Sequence, residues 1–121
     1  MSLLRASWLH MALGFLAMGA WAYLANAAHP PPIPLQAAQA QGMATALTTL
    51  LLKRLVEAVS RRTRGTAQLV RPVLAAWAVS FALLLSVHLL AQTPELWATL
   101  LVPNLIATLY AALYAALLRR P

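Results

Sequence analysis

Residues 6–52 read ASWLHMALGFLAMGAWAYLANAAHPPPIPLQAAQAQGMATALTTLLL and carry no formal charge over 47 residues. A helix that crosses the hydrocarbon core of a bilayer needs about 20 apolar residues, so this stretch is too long for one span. Four prolines in the five positions 30–34 interrupt it, and such a run cannot continue a helix. The stretch therefore predicts two membrane-spanning helices that are joined by a short, stiff turn.

The composition of the whole chain is typical of a membrane protein. Hydrophobic residues make up 62% of the 121 residues and charged residues 9%, and the mean hydropathy is +0.73. A soluble domain has roughly 25% charged and about 45–50% apolar residues. A water-soluble fold of this size could not bury so much apolar surface, so we expect lipid to be its solvent.

Two further uncharged stretches follow a basic segment. The third span is expected over about 72–91, at the start of an uncharged stretch that opens with Pro72. Thr93, Pro94 and Glu95 form a helix-start signal for a fourth span. We therefore predict an all-α integral membrane protein, a compact up-down bundle of about four transmembrane helices in one domain (1–121), with spans near 8–26, 34–52 with an amphipathic extension to 62, 72–91 and 94–118.

The positions of Lys and Arg predict the orientation of the spans. The turns at 27–34 and 92–95 contain neither residue, so a four-span arrangement collects all nine basic residues on one side. We therefore expect a bacterial inner-membrane protein with both termini cytoplasmic and a basic surface that attracts anionic lipid headgroups. Besides Arg5, that surface consists of Lys53, Arg54, Arg61, Arg62, Arg64, Arg71, Arg119 and Arg120.

An alternative interpretation treats residues 1–28 as a cleaved secretory signal peptide. Arg5 would supply its positive segment, and Ala25-Asn26-Ala27 resembles a small-residue cleavage site. The apolar stretch is longer than that of a typical signal peptide, and the bulky Trp21 and Tyr23 lie near the supposed cut. Cleavage would leave three spans and would not change the other connections.

Small residues recur at four-residue spacing in three of the predicted spans. Such rows allow close approach of helices in lipid, although an alanine-rich chain also produces them by chance. Gly42 is the most informative member, because the chain has only four glycines. The predicted packing residues are Ala38, Gly42 and Ala46, then Ala78, Ala82 and Ser86, and finally Ala107, Ala111 and Ala115.

Five polar side chains are predicted to lie at comparable depths, in the outer third of the bilayer. Each would be costly against hydrocarbon, so we expect them to turn toward one another. They would then form interhelical hydrogen bonds or line a site for a solute or lipid headgroup. The predicted polar cluster consists of Gln36, Gln39, His88, Gln92 and Asn104, with Pro103 able to bend the fourth span beside it.

The reactive residues do not form patterns that catalysis or cofactor binding requires. No Asp, Glu, Lys or Arg lies in the central part of a predicted span, and Ser80 and Ser86 have no evident carboxylate partner. Only His29 and His88 could share a side, which is too few ligands for a metal. The basic residues have no interleaved aromatic residues for stacking on bases. We therefore expect no enzymatic activity, metal, cofactor or nucleic-acid partner.

Two classes of function fit these features. The first, which we favour, is an accessory, assembly or scaffolding subunit that acts through helix–helix contacts with another membrane protein. The second is a small permease, channel or lipid-handling protein. Four thin helices rarely enclose a route alone, so the second class implies a homo-oligomer.

Overall fold

Four α-helices form the described part of the chain. A computed structural model describes residues 2–119, with side chains from residue 8 onward. The helices are α1 (Ser2–Ala25), α2 (Ile33–Arg61), α3 (Ala67–Leu90) and α4 (Leu96–Leu118), and these residues contain no strand. The predicted all-helical class is therefore confirmed for the described residues.

Three of the helices are long and apolar enough to cross a membrane. They are α1 over Trp8–Ala25, α3 and α4. Large apolar side chains cover their outward faces, and Leu16, Leu90 and Leu117 are 67%, 86% and 82% exposed. An apolar surface of this extent is expected of a protein whose solvent is lipid.

The second helix differs from the other three in composition. α2 is 29 residues long, and its charge-free part, 33–52, contains three glutamines and three threonines. It is not among the helices that are apolar enough to cross a membrane by composition alone. At 1.5 Å per residue the charge-free part is about 30 Å long, close to the thickness of the hydrocarbon core. This part has the length of a span but too many polar groups to face lipid on every side.

Helices that follow each other in the sequence are antiparallel. For α2 and α3 this follows from two hydrogen bonds, because Ser60 bonds to Gln68 near one end and Gln41 bonds to His88 near the other. α2 and α4 each contact all the other helices, whereas α1 and α3 are not in contact within the described residues. We call the end with the α2–α3 connection the basic end, and the end with the other two connections the opposite end.

The buried residues of α2, α3 and α4 form alternating apolar and polar layers. Nearer the basic end is the first apolar cluster, which consists of Leu52, Val56, Ala76, Ala111 and Ala115. Toward the opposite end is the second apolar cluster, which consists of Ala44, Leu84 and Leu100. Each helix also has one buried polar residue whose position in the sequence lies between the two clusters. These residues are Thr48, Ser80 and Asn104. They therefore form a central polar layer between the two apolar clusters.

Two of the three predicted packing rows lie inside the bundle. In α2, Gly42 is buried and Ala38 and Ala46 are half-buried. In α4, Ala111 and Ala115 are buried in the first apolar cluster, and Ala107 packs against it.

The predicted packing row of α3 lies outside the bundle. Its three members, Ala78, Ala82 and Ser86, are exposed. The buried stripe of α3 is offset by two residues, or about 200° around the helix, which turns the predicted row outward. The buried stripe consists of Pro72, Ala76, Ser80, Leu84 and His88.

Two helices do not begin where the predicted spans begin. α3 begins at Ala67, so Pro72 lies inside the helix. α4 begins at Leu96, because Thr93 does not cap it and belongs instead to the end of α3. The N–H groups of Gln92 and Thr93 bond to the carbonyls of Leu89 and His88, and Gln92 has a φ of 54°. This is the Schellman arrangement that terminates many helices.

The described members of the predicted basic surface are all exposed. They are Lys53, Arg54, Arg61, Arg62, Arg64, Arg71 and Arg119. Arg71 lies within α3 rather than in the connection before it. Arg120 and the side chain of Arg5 lie outside the described residues.

Glycine permits close packing of α1 against α2, and this contact can be tested by overfilling it. A Cβ atom added at Gly42 would lie 2.8 Å from the Cδ1 and Cε1 atoms of the Phe15 ring. We expect Gly42→Ala to lower the free energy of unfolding by about 1–3 kcal/mol, measured by denaturation in mixed micelles with circular dichroism. In a Phe15→Ala background the same substitution should cost far less, because the ring is absent. An equal cost in both backgrounds would show that the two helices do not meet there.

Candidate functional site

His88 lies at the centre of a buried chain of hydrogen bonds near the opposite end. Its Nε2 atom is 2.7 Å from Oε1 of Gln41, and its Nδ1 atom is 2.7 Å from Oγ1 of Thr93. The Gln41 amide nitrogen in turn donates to Oγ1 of Thr45 at 2.8 Å. His88 and Gln41 are both fully buried. The chain of bonds therefore links the first half of α2 to the end of α3, and its two central residues are shielded from solvent.

The partners of His88 determine the tautomer of an uncharged ring. The Gln41 Oε1 atom is an acceptor, so Nε2 of His88 carries the proton and donates it. Nδ1 is then the acceptor, and the Thr93 hydroxyl donates to it. The Schellman turn holds Thr93 in place for this bond, because the Thr93 N–H bonds to the carbonyl of His88 itself.

A second set of hydrogen bonds joins the end of α1 to the start of α4. The Asn26 amide nitrogen donates to the Ala22 carbonyl and to Oγ1 of Thr99, each at 2.8 Å. Its Oδ1 atom accepts the backbone N–H of Glu95 at 3.1 Å. Trp21 adds a bond from Nε1 to the carbonyl of Ala98. The side chain of Asn26, directly after α1, thus satisfies the backbone N–H of the residue that precedes α4, near the position predicted for capping by Thr93.

The two connections of the opposite end also meet at the surface. Nε2 of His29 lies 3.0 Å from Oε1 of Glu95, and the two side chains are 32% and 50% exposed. An ion pair with this exposure contributes about 0–1 kcal/mol. It adds little to the buried bonds beneath it.

The five residues of the predicted polar cluster do not lie together. His88 is in the buried chain, whereas Asn104 is buried in the central polar layer beyond the second apolar cluster. Gln36, Gln39 and Gln92 are exposed. Gln92 is outside the bundle because it occupies the left-handed position at which α3 ends.

The two sets of buried hydrogen bonds contain four residues that the predicted cluster omitted: Asn26, Gln41, Thr93 and Thr99. For α2, the angular positions of the residues around the helix could have predicted which glutamine is buried. Gln36 is 18 residues from Arg54, about five full turns, so both share a face that the arginine keeps outside. Gln41 lies on the other side of the helix.

The arrangement can position the helices against one another at the opposite end. Within residues 8–119, no group of three or more His, Asp or Glu side chains could hold a metal ion. His88 is bonded at both nitrogens and has no carboxylate beside it. The two sets of hydrogen bonds join the helices in pairs at the opposite end, α1 to α4 through Asn26 and α2 to α3 through Gln41 and His88.

The chain was compared with protein-family models, with curated proteins and with solved structures, and none of them matches.

The bond between Gln41 and His88 should appear as an energetic coupling. Removing either partner leaves the other buried and unpaired, so Gln41→Leu and His88→Leu should each cost about 1–3 kcal/mol. The double variant should cost less than the sum, by about 0.6 kcal/mol, the average for such pairs in membrane proteins, and by at most about 1.7 kcal/mol. The free energies come from denaturation in mixed micelles. Gln36→Leu with His88→Leu is the matched control and should be additive. Coupling in the control but not in the test pair would contradict the assigned bond.

Proposed function

We propose that this chain is a four-span protein of a bacterial inner membrane that acts as a non-enzymatic accessory, assembly or scaffolding subunit. Both termini and the basic end lie on the cytoplasmic side. The outward face of α2 is the surface that contacts a larger membrane protein.

The exposed glutamines of α2 carry this proposal. Gln36 and Gln39 are exposed, and Gln41 is the one glutamine of α2 with hydrogen-bond partners in the described residues. At 1.5 Å per residue they lie about 4.5 and 9 Å beyond the first residue of α2. An amide without a partner is costly in hydrocarbon, which favours a protein surface over lipid at this depth.

The rest of the same face defines the partner's chemistry. Met43 and Leu47 continue the exposed stripe toward the basic end, and they are 66% and 48% exposed. A fitting partner is a transmembrane helix with an amide, hydroxyl or free carbonyl opposite Gln36 and Gln39. Opposite Met43 and Leu47 it presents apolar side chains. Such a helix would satisfy the amides that lipid leaves unpaired.

The basic end supports the proposed orientation. Seven described Lys and Arg side chains, from Lys53 to Arg119, are exposed, whereas the opposite end carries Glu95 and no Lys or Arg. Basic residues near an anionic membrane surface are attracted by about 1 kcal/mol each. The excess of positive charge on one side favours that side as cytoplasmic.

The proposed contact can be tested by photo-crosslinking in native membranes. A photoreactive residue at Met43 should give one discrete adduct with another membrane protein. Gln36→Leu with Gln39→Leu should lower its yield severalfold, since two membrane hydrogen bonds of about 0.6 kcal/mol each correspond to roughly sevenfold in affinity. Gln92→Leu, an exposed glutamine outside the α2 face, is the matched control and should leave the yield unchanged.

Two outcomes would contradict the accessory-subunit proposal. An adduct with twice the mass of the chain would favour the homo-oligomeric permease, channel or lipid-handling class. Adducts with lipid alone, at the same yield as from a probe at the exposed Leu105 of α4, would show that no protein covers α2.

A further inference from the structure

The hydroxyl of Ser80 differs from the other buried hydroxyls. Within residues 8–119, the other buried serines and threonines bond to a backbone carbonyl or to another side chain, as Thr48, Thr99 and Ser60 do. The Ser80 Oγ atom has no hydrogen-bond partner, although Ser80 is fully buried. An unpaired hydroxyl in the middle of a helix bundle is costly, and it requires a partner that the chain does not supply.

Asn104 carries a buried hydrogen-bond acceptor that has no donor. It is 8% exposed, and its Oδ1 atom is buried without a hydrogen-bond partner. The preceding residue, Pro103, is also buried and has no N–H group. The Thr99 carbonyl, four residues earlier, therefore lacks the backbone donor that it would have in a regular helix. The buried face of α4 thus has an unpaired acceptor at Asn104 and a carbonyl without its usual helical donor at Thr99.

Ser80 and Asn104 occur at the same level of the bundle. On α3, Ser80 is one turn from Leu84 and one turn from Ala76. On α4, Asn104 is one turn from Leu100 and three residues before Ala107, which packs against the first apolar cluster. Both residues therefore lie between the two apolar clusters, and these clusters close the level from above and below.

We propose that Ser80 and Asn104 bind a water molecule in the central polar layer. The water accepts a hydrogen bond from the Ser80 hydroxyl. It donates one hydrogen bond to Oδ1 of Asn104 and another to the carbonyl of Thr99. Oxygen acceptors and one hydroxyl donor fit an uncharged molecule that both donates and accepts. The apolar clusters on both sides exclude an ion, which would lose its hydration there without a counter-charge. Buried water of this kind typically makes about three hydrogen bonds.

A high-resolution crystal structure grown from lipid tests the proposal directly. It should show a density peak of water size at about 2.7–3.2 Å from both Ser80 Oγ and Asn104 Oδ1. The peak should be absent in Ser80→Ala. It should remain in Ser86→Ala, a matched control on the same helix whose exposed hydroxyl bonds to the Ala82 carbonyl. A direct bond between Ser80 and Asn104, an empty layer or a larger bound molecule would each overturn the assignment.

Thermal unfolding supplies a second, independent readout. Ser80→Ala and Asn104→Leu should each shift the unfolding midpoint, and the double variant should shift it by less than the sum, because both lose the same water. Additive shifts would overturn the proposal.

Discussion

Hydrocarbon offers no hydrogen-bonding partner, so each polar group of α2 at membrane depth needs one from protein. The buried side of α2 meets this requirement within the chain. Gln41 bonds to Thr45 and His88, and the hydroxyls of Thr48 and Thr49 bond to carbonyls of their own helix. The most polar helix contacts all three others, as α4 also does.

The same requirement connects the helix ends to the helix core. His88 needs a donor for Nδ1, and the Schellman turn after α3 delivers Thr93 to it. Asn26 extends the pattern, because it directly follows α1 and satisfies the backbone N–H of the residue that precedes α4. Individual bonds of this kind contribute only about 0.6 kcal/mol on average in membrane proteins. Their main effect is to fix which helices meet and in which register.

In the central polar layer and at the exposed glutamines, the chain itself does not supply the hydrogen-bonding partners that its polar groups need. Ser80 and Asn104 lack partners inside the bundle, and Gln36 and Gln39 face outward. For the first pair, the apolar clusters on both sides favour an uncharged partner. For the second pair, the outward position favours another protein. One physical rule thus underlies both proposals, although neither depends on the other.

The number of helices and their approximate bounds followed from the lengths of charge-free sequence and from the proline run at 30–34. The inward face of α2 could also have been predicted, because Lys53 and Arg54 fix its outward face. The phase of α3 could not, since residues 72–94 carry no charge that distinguishes one side from another. The bond from the Glu95 N–H to Asn26 joins residues 69 apart, and no local pattern encodes such a contact.

In the proposed topology α2 crosses the membrane as one of four spans. The two connections that flank it, at Ala28 and Thr66, must then lie on opposite sides, and both residues are exposed. The chain has no cysteine, so a single introduced thiol is its only one. In intact cells an impermeant thiol reagent should label Ala28→Cys, and it should label Thr66→Cys only after the membrane is permeabilised. Labelling of both variants, or of neither, in intact cells would place the two connections on one side of the membrane. That result would contradict the four-span topology.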